Sequence, residues 1–137
     1  MSENDLNKHL FATFILNGKG LDPIETTIAL GITPSKSFRR GDWRTDTKKW
    51  TRNFWSFTSQ GEVQSGDLSI HIEWLLNRFE PVEKELREIM NRKDIESEIS
   101  CFWIMPTNHE ELLLSDKLIS RMAFLGIKLS FEIYGPD

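Results

Sequence analysis

Seven apolar residues, Leu68, Ile72, Leu75, Phe79, Val82, Leu86 and Ile89, recur at alternating spacings of four and three. That period places them on one stripe of an α-helix. Helical stability in water comes mainly from packing such a stripe, so the rest of the chain must supply a second apolar surface. Pro81 lies inside the run and has no amide hydrogen to donate. The spacing therefore predicts a kink or a break into two helices near Glu80. Asp67 stands where a capping residue belongs.

The covering surface is legible as strands. Leu10 to Leu16 is short, apolar and aromatic, and Asn53 to Thr58 carries Phe54, Trp55 and Phe57. Ile95 to Met105 holds Ile99, Phe102, Trp103 and Ile104, with imperfect alternation. Ile127 to Tyr134 alternates Leu129, Phe131 and Ile133 with Lys128, Ser130 and Glu132, which predicts one buried face. As an outer strand, its free side is open to another chain unless a helix or a charged flank protects it.

Two shorter helices complete the frame. Asp22 followed by Pro23 and Glu25 is a helix start, with Ile24, Thr27 and Ile28 expected inward and Gly31 at the stop. Ser115 or Asp116 opens the last helix, with Leu118, Met122 and Leu125 inward and Gly126 at its end. Leu30-Gly31-Ile32 and Leu125-Gly126-Ile127 echo each other. Duplication and ordinary helix-stop chemistry both account for the echo.

Strands and helices segregated in this way predict an α+β fold. The expectation is a two-layer sandwich of a mostly antiparallel four-stranded sheet with helices, ferredoxin-like in spirit. A length of 137 residues fits one domain spanning 1–137, with an ordered core of about 9–135 and a polar, frayed start over 1–8.

The chain carries a single cysteine, Cys101, so no intramolecular disulfide can form. The first ten residues hold Glu3, Asp5 and Lys8 without an apolar run, and no stretch approaches the length of a membrane span. Cytoplasmic residence, with no membrane partner, is the plain expectation. A net charge of -4 argues against a dedicated DNA-binding domain without excluding a local basic patch.

Chemistry-bearing motifs are sparse. His9, His71 and His109 form no metal pattern, and His109 with Glu110, Glu111 and Cys101 reads as a surface loop rather than a ligand set. Cys101 lies inside an apolar strand and reads as a small buried thiol. Asp22 and Glu25 form a carboxylate pair more simply explained by capping. Gly18-Lys19-Gly20 lacks the spacing of a phosphate loop. The expectation is no catalytic set, no metal and no cofactor.

Residues 33–50 show no periodicity, and an irregular connection that long is functional or mobile. Between 36 and 52 stand seven cationic residues against Asp42 and Asp46, a local charge of +5. Arg39, Arg40, Trp43, Arg44, Lys48, Lys49, Trp50 and Arg52 are the candidate binding residues, with Phe38 beside them. Arginine forks recognise carboxylates and phosphates, and exposed Trp rings anchor interfaces or stack on bases. The bland alternative is a solvated loop folded over the sheet. Residues 80–111 carry nine acidic and four basic residues, a local -5, which favours a protein partner over nucleic acid. A small hydrolase or ligand-binding enzyme without a recognisable motif is the other alternative.

Several short motifs together resemble a mainly bacterial family of small domains labelled as a domain of unknown function. They are Leu21-Asp22-Pro23, Thr26 or Thr27, Leu30-Gly31-Ile32, Pro34, Gly41-Asp42, Trp55-Ser56, Leu125-Gly126 and Ile133-Tyr134. The match runs from Phe11 to Tyr134, with Asn53-Phe54 disturbing the local register. The resemblance implies an α/β sandwich and no established activity. A toxin-neutralising or immunity role is a loose analogy to compact bacterial domains of this sort.

Overall fold

The structure, a computed structural model, describes residues 8–136; most of the segment expected to fray lies outside them. The order of elements is β1 (Leu10–Asn17), α1 (Pro23–Leu30), β2 (Lys36–Phe38), β3 (Phe54–Thr58), α2 (Leu68–Phe79), a 3-10 turn (Glu80–Val82), α3 (Glu83–Met90), β4 (Glu96–Ile104), α4 (Asp116–Leu125) and β5 (Lys128–Tyr134). The strands form one sheet in the order β2-β3-β1-β4-β5. Strand β2 runs antiparallel to β3, with Lys36 opposite Ser56 and Phe38 opposite Phe54. Strands β4 and β5 run parallel, with Glu98 opposite Lys128 and Ile104 opposite Tyr134.

The fold is α+β with a mixed, mostly antiparallel sheet, and it has five strands where the sequence pattern predicts four. The additional strand is β2. Its three residues are too few to show a period of two, so its pairing with β3 rather than any local pattern defines it.

Chain contacts divide the described residues into two compact units. The first comprises 8–14, 58–78 and 98–136. Leu10, Ala12 and Phe14 alternate into its core with Ile99, Cys101 and Trp103, and α2 adds Leu68, Ile72, Leu75 and Leu76. Ser115 caps α4, its hydroxyl accepting from the Leu118 amide at 3.1 Å, and Leu118 and Met122 turn inward. At the sheet's outer edge, Phe131 and Ile133 are exposed, correcting the buried face that their alternation predicts. As the terminal strand, β5 has a neighbour on one side only.

A buried polar network crosses this first unit. The Ser59 hydroxyl accepts from the Ala12 amide at 2.9 Å and lies 2.6 Å from His71 Nδ1. His71 Nε2 lies 2.8 Å from the Ser65 carbonyl, which can only accept. The proton therefore sits on Nε2, and Ser59 donates to Nδ1. The Ala12 amide, the Ser59 hydroxyl and both ring nitrogens of His71 thus each have a partner, as burial requires.

The second unit comprises 15–57 and 79–97. Leu16, Leu21, Leu30, Ile32, Trp55, Phe79, Leu86 and Ile89 form its core. The Asp22 carboxylate accepts from the Ile24 and Glu25 amides at 3.0 and 3.2 Å, and Gly31 ends α1 in the left-handed conformation at φ 63°. Residues Pro23, Thr26 and Leu30 face inward, whereas Ile24 and Ile28 are exposed, against expectation. Thr26 donates its hydroxyl to the Asp22 carbonyl at 2.8 Å, which removes the cost of burying it. Trp55 Nε1 donates to Thr27 Oγ1 at 3.0 Å, tying β3 to α1, and α1 lies against α3.

The long stripe is buried on both sides of its break, with only Val82 partly open. Pro81 falls in the 3-10 turn between α2 and α3, where the missing donor predicts the interruption. Among the described residues no helix is long and apolar enough to cross a membrane.

Candidate functional site

The basic stretch lies wholly in the second unit and is built as a hairpin rather than an irregular loop. Gly41 donates its amide to the Trp50 carbonyl at 2.9 Å, and the Trp50 amide donates to Asp42 at 2.8 Å. Arg44 and Thr45 both donate to the Lys48 carbonyl, at 2.8 and 3.1 Å, and Trp43 bridges Lys49. Gly41 takes φ +95°, a conformation that side chains disfavour. Two side chains pin the base. Asp42 accepts from the Arg39 amide at 2.8 Å, and Asn53 accepts from the Arg40 amide at 2.8 Å. These side-chain-to-backbone bonds replace the ladder that the sequence pattern lacks.

Aromatic rings then fix the hairpin over the sheet edge. Phe38 stacks between Phe54 and Trp50, with centroids 4.7 and 3.6 Å apart. The Arg44 guanidinium lies 4.8 Å from the Trp50 ring centre, and Lys36 Nζ lies 5.1 Å from it. Lys49 sits 4.6 Å over Trp43, whose ring is 65% exposed. Cations over ring faces are held by the ring quadrupole.

The candidate residues fall into three groups. Trp43, Arg44, Lys49 and Trp50 come together on the hairpin, and Lys48 turns its tip. Arg39 reaches away to Asp22 at 3.4 Å, and Arg40 is exposed at the hairpin base. Arg52 donates to Asn17 at 3.0 Å and joins an open groove with Lys19, Asp94, Ile95 and Glu96. Asp94 and Glu96 of the acidic stretch thus line the same groove as Arg52. Three residues outside the candidate set also contribute to this arrangement: Lys36 flanks the Phe38–Trp50 pair, Phe54 stacks on Phe38, and Asn53 pins the hairpin base. The three residues of β2 are too few to carry a periodic signal that would have marked them.

Other reactive groups lie elsewhere. Cys101 is buried, and burial pushes its thiol up to about 12, far from a working thiolate. His109 is exposed on the 105–115 connection, and neither residue lines the groove beside Arg52. Asp22 and Glu25 work separately: Asp22 caps α1, and Glu25 accepts from Arg92 at 2.7 Å. Among the described residues no three His, Cys, Asp or Glu side chains gather as a metal set.

A family model described as a domain of unknown function, DUF4279, matches residues 7–136. Comparison with curated proteins and with solved structures gives no match.

Proposed function

The chain belongs to the DUF4279 family, and from that premise we propose that it is a non-catalytic protein-interaction domain that grips an acidic protein surface through the hairpin of residues 39–52. The observation that carries this reading is the cation–aromatic stack. Lys36 and Arg44 lie over Trp50 while Phe38 occupies a face of the same ring. Such a stack lowers the entropy cost of presenting charge, because its members are ordered before a partner arrives. It also leaves Trp50 less free for a nucleobase, which needs an open ring face. Exposed Trp43, flanked by Lys49, supplies an aromatic anchor of the type that dominates interface energies.

The wider setting we propose is a single domain, a two-layer sandwich, working in a bacterial cytoplasm. The unpaired Cys101 is compatible with a reducing compartment. An immunity-like task, neutralising another protein by covering it, fits a rigid basic hairpin.

The test is affinity capture with mass spectrometry, comparing wild type with an Arg40→Ala/Trp43→Ala/Arg44→Ala variant of unchanged circular dichroism. The proposal expects a protein selectively lost by the variant and released by salt, since exposed charge pairs are screened. Loss of no protein, or a captured species removed by nuclease, would count against it.

A further inference from the structure

We propose that β5 is the interface of a symmetric homodimer, formed by antiparallel pairing of this strand with β5 of a second copy. The strand is the last in the sheet, so among the described residues one row of its main-chain groups has no strand beside it. Which row is fixed by geometry. The Tyr134 carbonyl accepts from the Met105 amide at 2.9 Å, so Tyr134 bonds toward β4. Main-chain direction alternates along a strand. Lys128, Ser130 and Glu132 therefore bond inward as well, and Leu129, Phe131 and Ile133 present their N–H and C=O groups outward.

The row itself carries no charge, while the charged Lys128 and Glu132 alternate with it along the strand. The strand contains no proline and no glycine, and its seven residues are Lys-Leu-Ser-Phe-Glu-Ile-Tyr. Phe131 and Ile133, whose side chains share one face, are 41% and 46% exposed. Pairing with another strand gives the outward groups of Leu129 and Phe131 partners and covers the Phe131 side chain.

Charge selects a second copy as the occupant and sets the register. Lys128 and Glu132 lie on the same face, two residues either side of Ser130. Antiparallel pairing about a two-fold axis at Ser130 puts each Lys128 opposite Glu132 of the other copy, twice per dimer. These fall at non-hydrogen-bonded positions, where side chains approach closest. The same register pairs Leu129 with Phe131 across the axis, both from the outward-bonding row. An axis at Glu132 would face like charges, and an axis at Phe131 would forfeit both ion pairs. A self-complementary patch of this kind is what a two-fold interface requires.

Sedimentation velocity over a concentration series tests the proposal. Wild type should dimerise. Lys128→Glu and Glu132→Lys should each weaken the dimer at least about ten-fold, because each places like charges across the axis. An equimolar mixture of the two variants should restore it, since each then supplies the charge the other lacks. Ser130→Cys should form an intermolecular disulfide on oxidation, its residues meeting on the axis within bonding range. All three substitutions fall at exposed or half-buried positions, and circular dichroism checks the fold. A wild type monomeric to roughly millimolar concentration would overturn the proposal and leave the edge to a strand from a different protein. A mixture that stays monomeric, or an uncrosslinked Ser130→Cys dimer, would overturn the register.

Discussion

His71 shows how a single buried residue links packing to pH. Burial lowers its pKa from the ordinary 6.5, with the Ser65 carbonyl and Asp67 pulling the other way. Its folded value is thus below its unfolded value, and the unfolded chain binds the proton more readily. The stability that neutral His71 contributes is complete above about pH 6.5 and is lost as pH falls toward the folded value. Denaturation from pH 8 to 5.5 should show wild type losing stability relative to His71→Asn on the acid side; parallel curves would refute this. Ser59→Ala should cost about 1–3 kcal/mol, since it strips partners from the Ala12 amide and from His71 Nδ1. Chemical denaturation measures that directly. Gly18 is constrained differently: a Cβ there would stand 2.0 Å from the Asp94 carbonyl oxygen, at φ +133°. Gly18→Ala should lower the melting temperature by more than Gly61→Ala, whose added Cβ meets open space.

Elements were legible where chemistry is local. Asp22, Pro23, Gly31, Ser115 and Gly126 occupy the cap positions their residue types predict, and Pro81 interrupts the long stripe. Both Leu-Gly-Ile repeats end helices with a left-handed glycine, so stop chemistry accounts for them without duplication. Legibility failed where partners are distant in sequence. Hydrophobicity alone points Ile24 and Ile28 inward, but the neighbours of α1 select Thr26 and Leu30. Hairpin 39–52 shows no periodicity in its sequence because its order comes from Asn53, Asp42 and ring stacking. Asn53→Ala should therefore loosen it. Hydrogen exchange of the Gly41 and Trp50 amides should accelerate in that variant while the α2 amides stay protected; equal protection would show that Asn53 is not a pin.

At the scale of the molecule, a chain of net charge -4 carries a +5 segment raised on an ordered hairpin. The composition revealed that asymmetry, and the spacing of the cations did not reveal which of them cooperate. Arg44 and Lys36 meet at Trp50, whereas Arg39 and Arg52 turn to Asp22 and Asn17. Recognition by the hairpin should consequently fall steeply with Trp43→Ala or Arg44→Ala and only slightly with Arg39→Ala, as binding titrations with a captured partner would show. The most direct measurement places p-benzoylphenylalanine at position 43 in the native cell, with position 73 on α2 as the control, followed by irradiation and mass spectrometry. Recognition of a protein through the hairpin predicts a discrete polypeptide adduct from position 43 and none from position 73. Nucleic-acid adducts, or identical adducts from both positions, would contradict it.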